Sequence, residues 1–431
     1  MSKKVYLKTW GCQMNVHDSE KMLGILKEEG YSQSDNPFHA DLIILNTCSI
    51  REKAERKFYS ELGRIKAYKN KRPDINIAVA GCIAQKEGRA IFKKASYVDF
   101  IFGPQNIHIL KDFVSGTNLH ISTEENPRIA ETDLPVKRAD SIKAWITIMY
   151  GCNNFCSYCI VPYTRGRERS RPSKNILSEA EELASKGYKE ITLLGQNVNS
   201  YKYDTDFPGL LRKLNRVGGL ERIRFITSHP KDLSDELIDA IFGLPKVCEH
   251  IHLPIQSGSD NILRLMRRGY TYADYIKKVS RLREKVPGIA ITSDVITGFP
   301  GESHADHVLT LKAIKEIEFD GLFAFKFSKR PGTKTFDMEG CLNEKIKSER
   351  LSEILSIQDR ITSRKNRLLE GTKQEIMIGG YSDTDKEKLT GRTRTNKIVN
   401  VPKFKIERGS LIIVEITKGK QHSLEAISLE K

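Results

Sequence analysis

Apolar, β-branched runs of five to eight residues alternate with helical patterns through most of the chain. That alternation restricts it to α/β architectures. Runs at 5–9, 42–46, 75–80 and 98–102 are almost continuously apolar, as strands buried on both faces of a parallel sheet must be. Helical patterns at 19–29, 51–70 and 85–95 separate them, which predicts an open α/β domain. A polar stretch at 114–140 with Pro127 and Pro135 reads as a linker. Further runs follow at 145–149, 190–194, 223–227, 250–254, 289–296 and 322–327, with helical patterns at 174–186, 259–286 and 305–317 between them. Six such βα units predict a partial (β/α)6 barrel, closed by a polar helix from Asn343 to near Glu370. Beyond Gly371, short alternating runs at 374–378, 397–401, 410–416 and 422–427 predict a small antiparallel, OB-like β-barrel. The expected domains are 1–118, a linker at 119–137, 138–368 and 369–431.

Cysteines mark the ends of these strands. Cys12, Cys48 and Cys82 each follow one of the first three runs, and the carboxyl ends of parallel strands share one edge. Three cysteines distant in sequence are therefore predicted to meet. A second trio, Cys152, Cys156 and Cys159, follows the first barrel run at C-x3-C-x2-C spacing. Three thiolates leave one metal corner open, which suits a 4Fe-4S cluster with a free iron. Zinc is the alternative for any cysteine trio, although no fourth Cys or His stands at zinc-finger spacing. Cys248 and Cys341 belong to neither trio and are expected to be inert or buried.

Lys and Arg outnumber Asp and Glu by 71 to 55, a net charge of +16. Such an excess favours a polyanionic partner or simply a basic enzyme. No run has the length of a membrane span, and the N-terminus lacks a signal peptide's apolar region, so a cytoplasmic protein is expected. In that reducing compartment, eight cysteines indicate metal or redox chemistry over disulfides.

The segment Cys152-Asn-Asn-Phe-Cys156-Ser-Tyr-Cys159 resembles the radical S-adenosylmethionine signature. Over essentially all 431 residues the chain resembles the radical S-adenosylmethionine methylthiotransferases: a three-cysteine domain, a radical barrel and a terminal TRAM barrel. Lys8-Thr-Trp-Gly-Cys12-Gln-Met-Asn15, Cys159-Ile-Val-Pro-Tyr-Thr-Arg-Gly166 and Thr395-Asn-Lys-Ile-Val-Asn-Val401 are similar to the branch acting on N6-dimethylallyladenosine in tRNA. The resemblance implies two 4Fe-4S clusters and S-adenosylmethionine as cofactors. The cluster on Cys152, Cys156 and Cys159 would generate a radical that attacks carbon 2 of the isopentenylated adenine beside the anticodon. The auxiliary cluster on Cys12, Cys48 and Cys82 would hold the sulfur, and a second S-adenosylmethionine would methylate it.

Family-like stretches also lie where barrel strands end. Leu194-Gly-Gln-Asn197 resembles the segment receiving the cofactor's amino group, which makes Gly195, Gln196 and Asn197 candidate contacts. Ser228 in Thr227-Ser-His-Pro230, Gln256 in Pro254-Ile-Gln-Ser-Gly258, and Asp294 in Asp294-Val-Ile-Thr-Gly-Phe-Pro-Gly-Glu302 complete the cofactor candidates. Tyr158 either stacks near the adenine or packs as an ordinary apolar side chain. His229 is either a proton carrier or a structural histidine.

Arg165, Arg167, Arg169 and Arg171 follow the cysteine loop, either to hold RNA phosphates or to pair with acids of the barrel. Arg165 and Arg167 are the RNA candidates there. In the terminal barrel they are Arg392, Arg394 and Lys397, within a basic loop at 391–397 that is otherwise a solvated hairpin turn. The expected partners are the tRNA anticodon loop and an electron donor such as a flavodoxin or ferredoxin, and the chain is expected to be a monomer. Other substrates for such a chain are threonylcarbamoyl-adenosine in tRNA or an aspartate of a ribosomal protein. The alternative of another class is a non-catalytic metal-cluster RNA-binding protein.

Overall fold

The computed structural model describes residues 3–49, 52–117 and 120–429, so Arg51 and the expected boundary at 118–119 lie outside it. The N-terminal sheet has six strands, in the order Ser32–Gln33, Lys4–Trp10, Leu42–Thr47, Asn76–Gly81, Phe100–Phe102 and Ile121–Ser122. Every neighbouring pair is parallel. Apolar side chains from alternate positions fill a core on each face, Ile43 and Val79 on one and Ile44 and Ala78 on the other. The winding direction reverses between Lys4–Trp10 and Leu42–Thr47, the topological switch where open α/β sheets bind ligands.

The first long helix, Gln13–Glu28, starts well before the expected position 19. Its first turns are polar, and Asn15, His17, Asp18, Ser19 and Glu20 are nonetheless buried. Their apolar periodicity is absent because they pack against polar groups of the linker and barrel. Lys137 donates its backbone N–H to the Glu20 carbonyl at 2.9 Å, and Lys21 Nζ reaches the Tyr150 hydroxyl at 3.0 Å. The linker is thus packed onto the molecule.

The central domain contains two three-stranded parallel sheets. One orders Arg222–Phe225, Glu190–Leu194 and Lys143–Thr147; the other orders His250–His252, Ala290–Thr297 and Gly321–Lys326. A parallel bridge between Ile223 and Val247 joins them. Among the described residues the outer strands Lys143–Thr147 and Gly321–Lys326 do not pair, so the barrel is partial, as the six-unit pattern predicts. The helix expected over 259–286 is two, Asp260–Leu265 and Tyr272–Lys285. Apolar spacing continues across the break, but Arg267 and Gly269 take positive φ, and Ser259 and Thr271 each cap a separate helix.

The terminal barrel is closed by Lys373–Tyr381, Lys388–Thr393, Ile398–Pro402, Leu424–Ser428 and Leu411–Gly419, in that order. It is not wholly antiparallel, because Ile398–Pro402 and Leu424–Ser428 run parallel. The expected basic loop at 391–397 is instead the end of the strand Lys388–Thr393 followed by a turn, with Asn396 at φ +66°.

This barrel covers the starting ends of the central strands, opposite the cysteine loops. Arg222, fully buried, donates to the Arg392 carbonyl at 2.6 Å and to Glu375 Oε1 at 2.8 Å. Arg224 donates to the carbonyls of Arg394 and Thr393, both at 2.8 Å, and to Glu190 at 2.9 Å.

Candidate active site

The carboxyl end of the N-terminal sheet gathers Cys12, Cys48 and Cys82. Cys12 caps the helix Gln13–Glu28, Cys48 follows the strand Leu42–Thr47, and Cys82 opens the helix Cys82–Glu87. A buried polar network holds the first two together: Asn46 Nδ2 donates to the Asn15 carbonyl at 2.8 Å and to Ser19 Oγ at 2.9 Å. Gly11 sits at φ +144°, where an added Cβ would lie 2.7 Å from that of Cys48. Only glycine allows the two cysteine-bearing turns this approach. The Cys48 thiol hydrogen-bonds Cys12 and, with Arg165 and the Asn15 and Met14 amides, lowers its pKa to about 6 against the opposing effect of burial. Burial pushes Cys82 up, while Arg165, which hydrogen-bonds it, pulls the other way.

The second trio lies on the loop after Lys143–Thr147. Gly151 has φ +68°, and a Cβ there would stand 2.1 Å from the Arg167 carbonyl. Cys152 donates its N–H to the Gly166 carbonyl at 3.2 Å, which folds the loop back on the segment that follows it. Cys152 and Cys156 are buried. Burial, with Cys156 and Cys152 close by, pushes Cys159 up to about 12.

The trios are linked by one short stretch. After Cys159, the helix Val161–Thr164 packs against Cys82–Glu87, and Arg165 follows it. Arg165 Nη2 donates to Asp18 Oδ2 at 2.7 Å, with both side chains buried. Arg165 is therefore a linker of the two cysteine sites rather than an available phosphate ligand. Arg169 and Arg171 also pair with acids, Arg169 with Glu125 at 3.2 Å and Arg171 with Glu179 and Asp133 at 2.8 Å each. Arg167 alone of the run stays exposed, its guanidinium 4.3 Å from the Phe155 ring centre.

The remaining basic candidates face the central domain. Arg394 clamps Glu249 with two bonds of 2.7 Å, Lys397 pairs with Asp320 at 3.5 Å, and Arg392 reaches the Asn396 carbonyl at 3.1 Å. Arg394 and Lys397 join two domains, their charges paired with acids of the central domain, whereas the Arg392 side chain bonds within its own barrel.

The cofactor candidates collect at the open end of the central barrel. Gly195 approaches Met149 so closely that a Cβ would meet its Cγ at 2.5 Å. Gln196 Oε1, Asn197 Oδ1, Ser228 Oγ and Thr147 Oγ1 are buried without hydrogen-bond partners among the described residues. Buried orphans of this kind signal a missing polar ligand. Gln256 takes φ +71° and accepts from the Ile296 amide at 3.0 Å. Asp294 Oδ2 lies 3.4 Å from His252 Nε2. Tyr158 packs edge-on to Phe299, and its hydroxyl accepts from Arg268 Nη1 at 3.4 Å. His229 accepts from the Lys231 N–H at 3.2 Å, its Nε2 is buried without a partner among the described residues, and burial lowers its pKa to about 2. Cys248 is buried, whereas Cys341 is exposed.

Arg268 escapes a reading by motif. It stands in the break between Asp260–Leu265 and Tyr272–Lys285, a stretch that apolar periodicity assigns to one helix. Its Nη1 donates to Cys156 Sγ at 3.3 Å.

Comparison with known proteins fits this arrangement. Residues 4–103 match the family described as Uncharacterized protein family UPF0004, and residues 146–314 match the Radical SAM superfamily. The chain is 54% identical to the tRNA-2-methylthio-N(6)-dimethylallyladenosine synthase of Thermodesulfovibrio yellowstonii, over 98% of each chain. It belongs to that synthase family. A synthase of the same name from Syntrophus aciditrophicus is 49% identical, over 98% of this chain and 94% of that one. Among solved structures, the radical S-adenosylmethionine methyltransferase TsrM from Kitasatospora setae shares the fold at a TM-score of 0.61 and 17% identity, covering 78% of this chain and 75% of that one.

Members of this synthase family are transferases that use S-adenosylmethionine and 4Fe-4S clusters. The residues fit such groups. Each site offers three thiols and no competing carboxylate or imidazole within the trio, a donor set suited to iron–sulfur chemistry. Among the described residues no three His, Cys, Asp or Glu side chains are placed to hold a metal ion, so the fit rests on the thiol chemistry and on buried polar atoms. Thr47 Oγ1, Ser49 Oγ and Gln85 Oε1 are buried orphans next to or near Cys48 and Cys82 in the chain, as Gln196, Asn197 and Ser228 are at the barrel.

Proposed function

We propose that this chain methylthiolates carbon 2 of N6-dimethylallyladenosine beside the anticodon of tRNA. The observation that carries the reading is the physical link between the trios, Cys159 to Arg165, on a chain with close relatives of that name. When bound, the clusters and S-adenosylmethionine supply radical formation and the transferred sulfur. The protein's own residues hold and shield these groups. Cys152, Cys156 and Cys159 hold the radical cluster; Cys12, Cys48 and Cys82 hold the auxiliary one. Gln196, Asn197 and Ser228 offer their orphaned polar atoms to S-adenosylmethionine, and Gln256 and Asp294 line the same barrel end.

Arg167 on Phe155, with exposed Tyr163 edge-on to the same ring at 5.9 Å, provides a cationic and aromatic edge for an unpaired RNA loop. The target base must leave its stack to reach a buried radical site, which an anticodon loop permits. The enzyme acts as a cytoplasmic monomer and takes its electron from a small donor such as a flavodoxin or ferredoxin. Among the described residues no helix is long and apolar enough to cross a membrane.

Mass spectrometry of tRNA nucleosides from cells lacking the gene tests the substrate. The methylthio group disappears from dimethylallyladenosine and from no other nucleoside. Its persistence there, or its loss from threonylcarbamoyl-adenosine instead, contradicts the reading.

A further inference from the structure

The segment joining the two cysteine domains is held from both sides. On one side it lies along the helix Gln13–Glu28. Lys137 and Ala139 donate their N–H groups to the Glu20 carbonyl at 2.9 Å and to Glu20 Oε1 at 3.0 Å. Pro135 presses on Gly24 so closely that a Cβ there would stand 2.2 Å from the Pro135 carbonyl oxygen. Glycine weakens a helix interior, so the approach of the segment is what accounts for it. On the other side Asp133 pairs with Arg171 at 2.8 Å. Ile129, Ala130 and Tyr150 form a small buried cluster, and Lys21 of the helix donates to the Tyr150 hydroxyl at 3.0 Å.

Arg138 crosses between the two sides, its side chain 9% exposed. Nη2 donates to Glu179 Oε1 at 2.6 Å and Nη1 to the Trp145 carbonyl. Nη1 also lies 3.5 Å from Glu20 Oε2 and 3.3 Å from His17 Nδ1. Glu179 accepts from Arg171 on its other oxygen at 2.8 Å. His17 and Glu20 stand on the helix capped by Cys12, and Trp145 on the strand that leads into the loop of Cys152. One arginine therefore touches both elements that carry a trio. Desolvation offsets much of the attraction within such a network, so what it contributes is geometry more than stability.

We propose that residues 129–139 are a strap, keyed by Arg138, which fixes the separation and facing of the two trios. Arg138 is then a positioning residue for the step that passes between them. The Asp18–Arg165 pair by itself is a pivot. Contacts from His17 to Gly24 extend over about two helical turns, about 10 Å, and stop the domains from bending about it. The proposal rests on the two-cluster reading above, in which radical formation belongs to one trio and sulfur delivery to the other. A loosened strap leaves the first event intact and spoils the second, since misplacement by about 1 Å slows a reaction about 100-fold.

The test uses the full chain carrying Arg138→Met, Arg138→Met with Glu20→Gln, or Gly24→Ala. The double variant removes one cation with one anion, and Gly24→Ala displaces the strap without touching a charge. Each protein, loaded with iron, is given S-adenosylmethionine, a reductant and tRNA containing dimethylallyladenosine. All three variants should form deoxyadenosine near the wild-type rate and methylthiolated nucleoside about 100-fold more slowly. In iron-free protein, urea unfolding followed at Trp10 and at Trp145 should coincide for the wild type and separate for the variants. Hydrogen exchange at the Lys137 and Ala139 amides should quicken in the variants. An unchanged ratio of the two products overturns the proposal, and so does an equal loss of both, which marks a merely structural arginine. Separate unfolding of the two tryptophans in the wild type overturns it as well. A wild type that makes deoxyadenosine but no methylthiolated nucleoside refutes the proposed function, and the proposal with it.

Discussion

Arg165 and Asp18 meet at 2.7 Å between the segments that carry the two cysteine trios, each almost excluded from solvent. Asp18 lies six residues after Cys12 and Arg165 six after Cys159, so the pair ties the helix capped by one cysteine site to the segment leaving the other. The Arg165 charge also lowers the pKa of Cys82, against the effect of burial. A contact of this kind fixes how the two domains face each other more than it adds stability, because desolvation offsets much of its Coulomb energy.

Breaking that pair is a different matter from replacing it. Asp18→Asn leaves the Arg165 charge buried and uncompensated, at a cost of about 3–5 kcal/mol. Replacing both, Asp18→Leu with Arg165→Met, should recover most of the loss. Trp10 and Trp145 are the chain's two tryptophans, one in each domain, so denaturant unfolding read from each follows the halves separately. A wild-type midpoint for Asp18→Asn contradicts the account.

The RNA contacts divide sharply between occupied and available cations. Arg167→Gln should weaken tRNA binding and flatten its dependence on log salt by about 0.7–0.9, the share of one phosphate contact. Arg394→Gln should leave that slope unchanged, since its guanidinium is held by Glu249. Equal slopes for the wild type and Arg167→Gln would rule out the assignment of Arg167.

The terminal barrel has a structural role as well. Deleting residues 371–431 uncovers Arg222 and removes the carbonyls and Glu375 that satisfy it, along with the two carbonyls that accept from Arg224. Hydrogen bonds to charged groups contribute about 1.5–3 kcal/mol each, and the deletion removes all of these at once. The truncated chain is therefore expected to lose stability in the central domain, while iron at Cys12, Cys48 and Cys82 is retained. A truncated protein unfolding at the full-length midpoint would contradict this interface.

Much of this architecture follows from the chain's own pattern. Leu42–Thr47 and Asn76–Gly81 were legible because buried parallel strands are mostly apolar, and the cysteines sit where such strands end. The start of Gln13–Glu28 was not, because Asn15, Asp18 and Ser19 are buried by polar contacts with groups distant in sequence. Lys388–Thr393 was missed because Gly391 breaks the alternation; the strand needs that glycine, since a Cβ would stand 2.8 Å from the Met377 carbonyl. The destinations of Arg165, Arg392, Arg394 and Lys397 were equally hidden. A basic residue facing a phosphate and one facing a buried carboxylate look alike in sequence.

Acid should destabilise the fold through its buried histidines. Burial lowers His250 to about 3 and His229 to about 2, both below the ordinary 6.5. Below about pH 6.5 the unfolded chain takes up protons that the folded chain refuses, so stability falls as pH drops from there toward 3. His250→Gln should reduce the change in urea midpoint between pH 7 and pH 5. An unaltered slope would mean that His250 is not held neutral in the fold.

Iron stoichiometry tests the two-site account most directly. Reconstituted wild-type protein is expected to hold about eight irons per chain, and either Cys12/Cys48/Cys82→Ala or Cys152/Cys156/Cys159→Ala about four. Replacing all six cysteines should leave none. If either triple variant keeps all the iron of the wild type, or loses all of it, the chain does not carry two independent three-cysteine cluster sites.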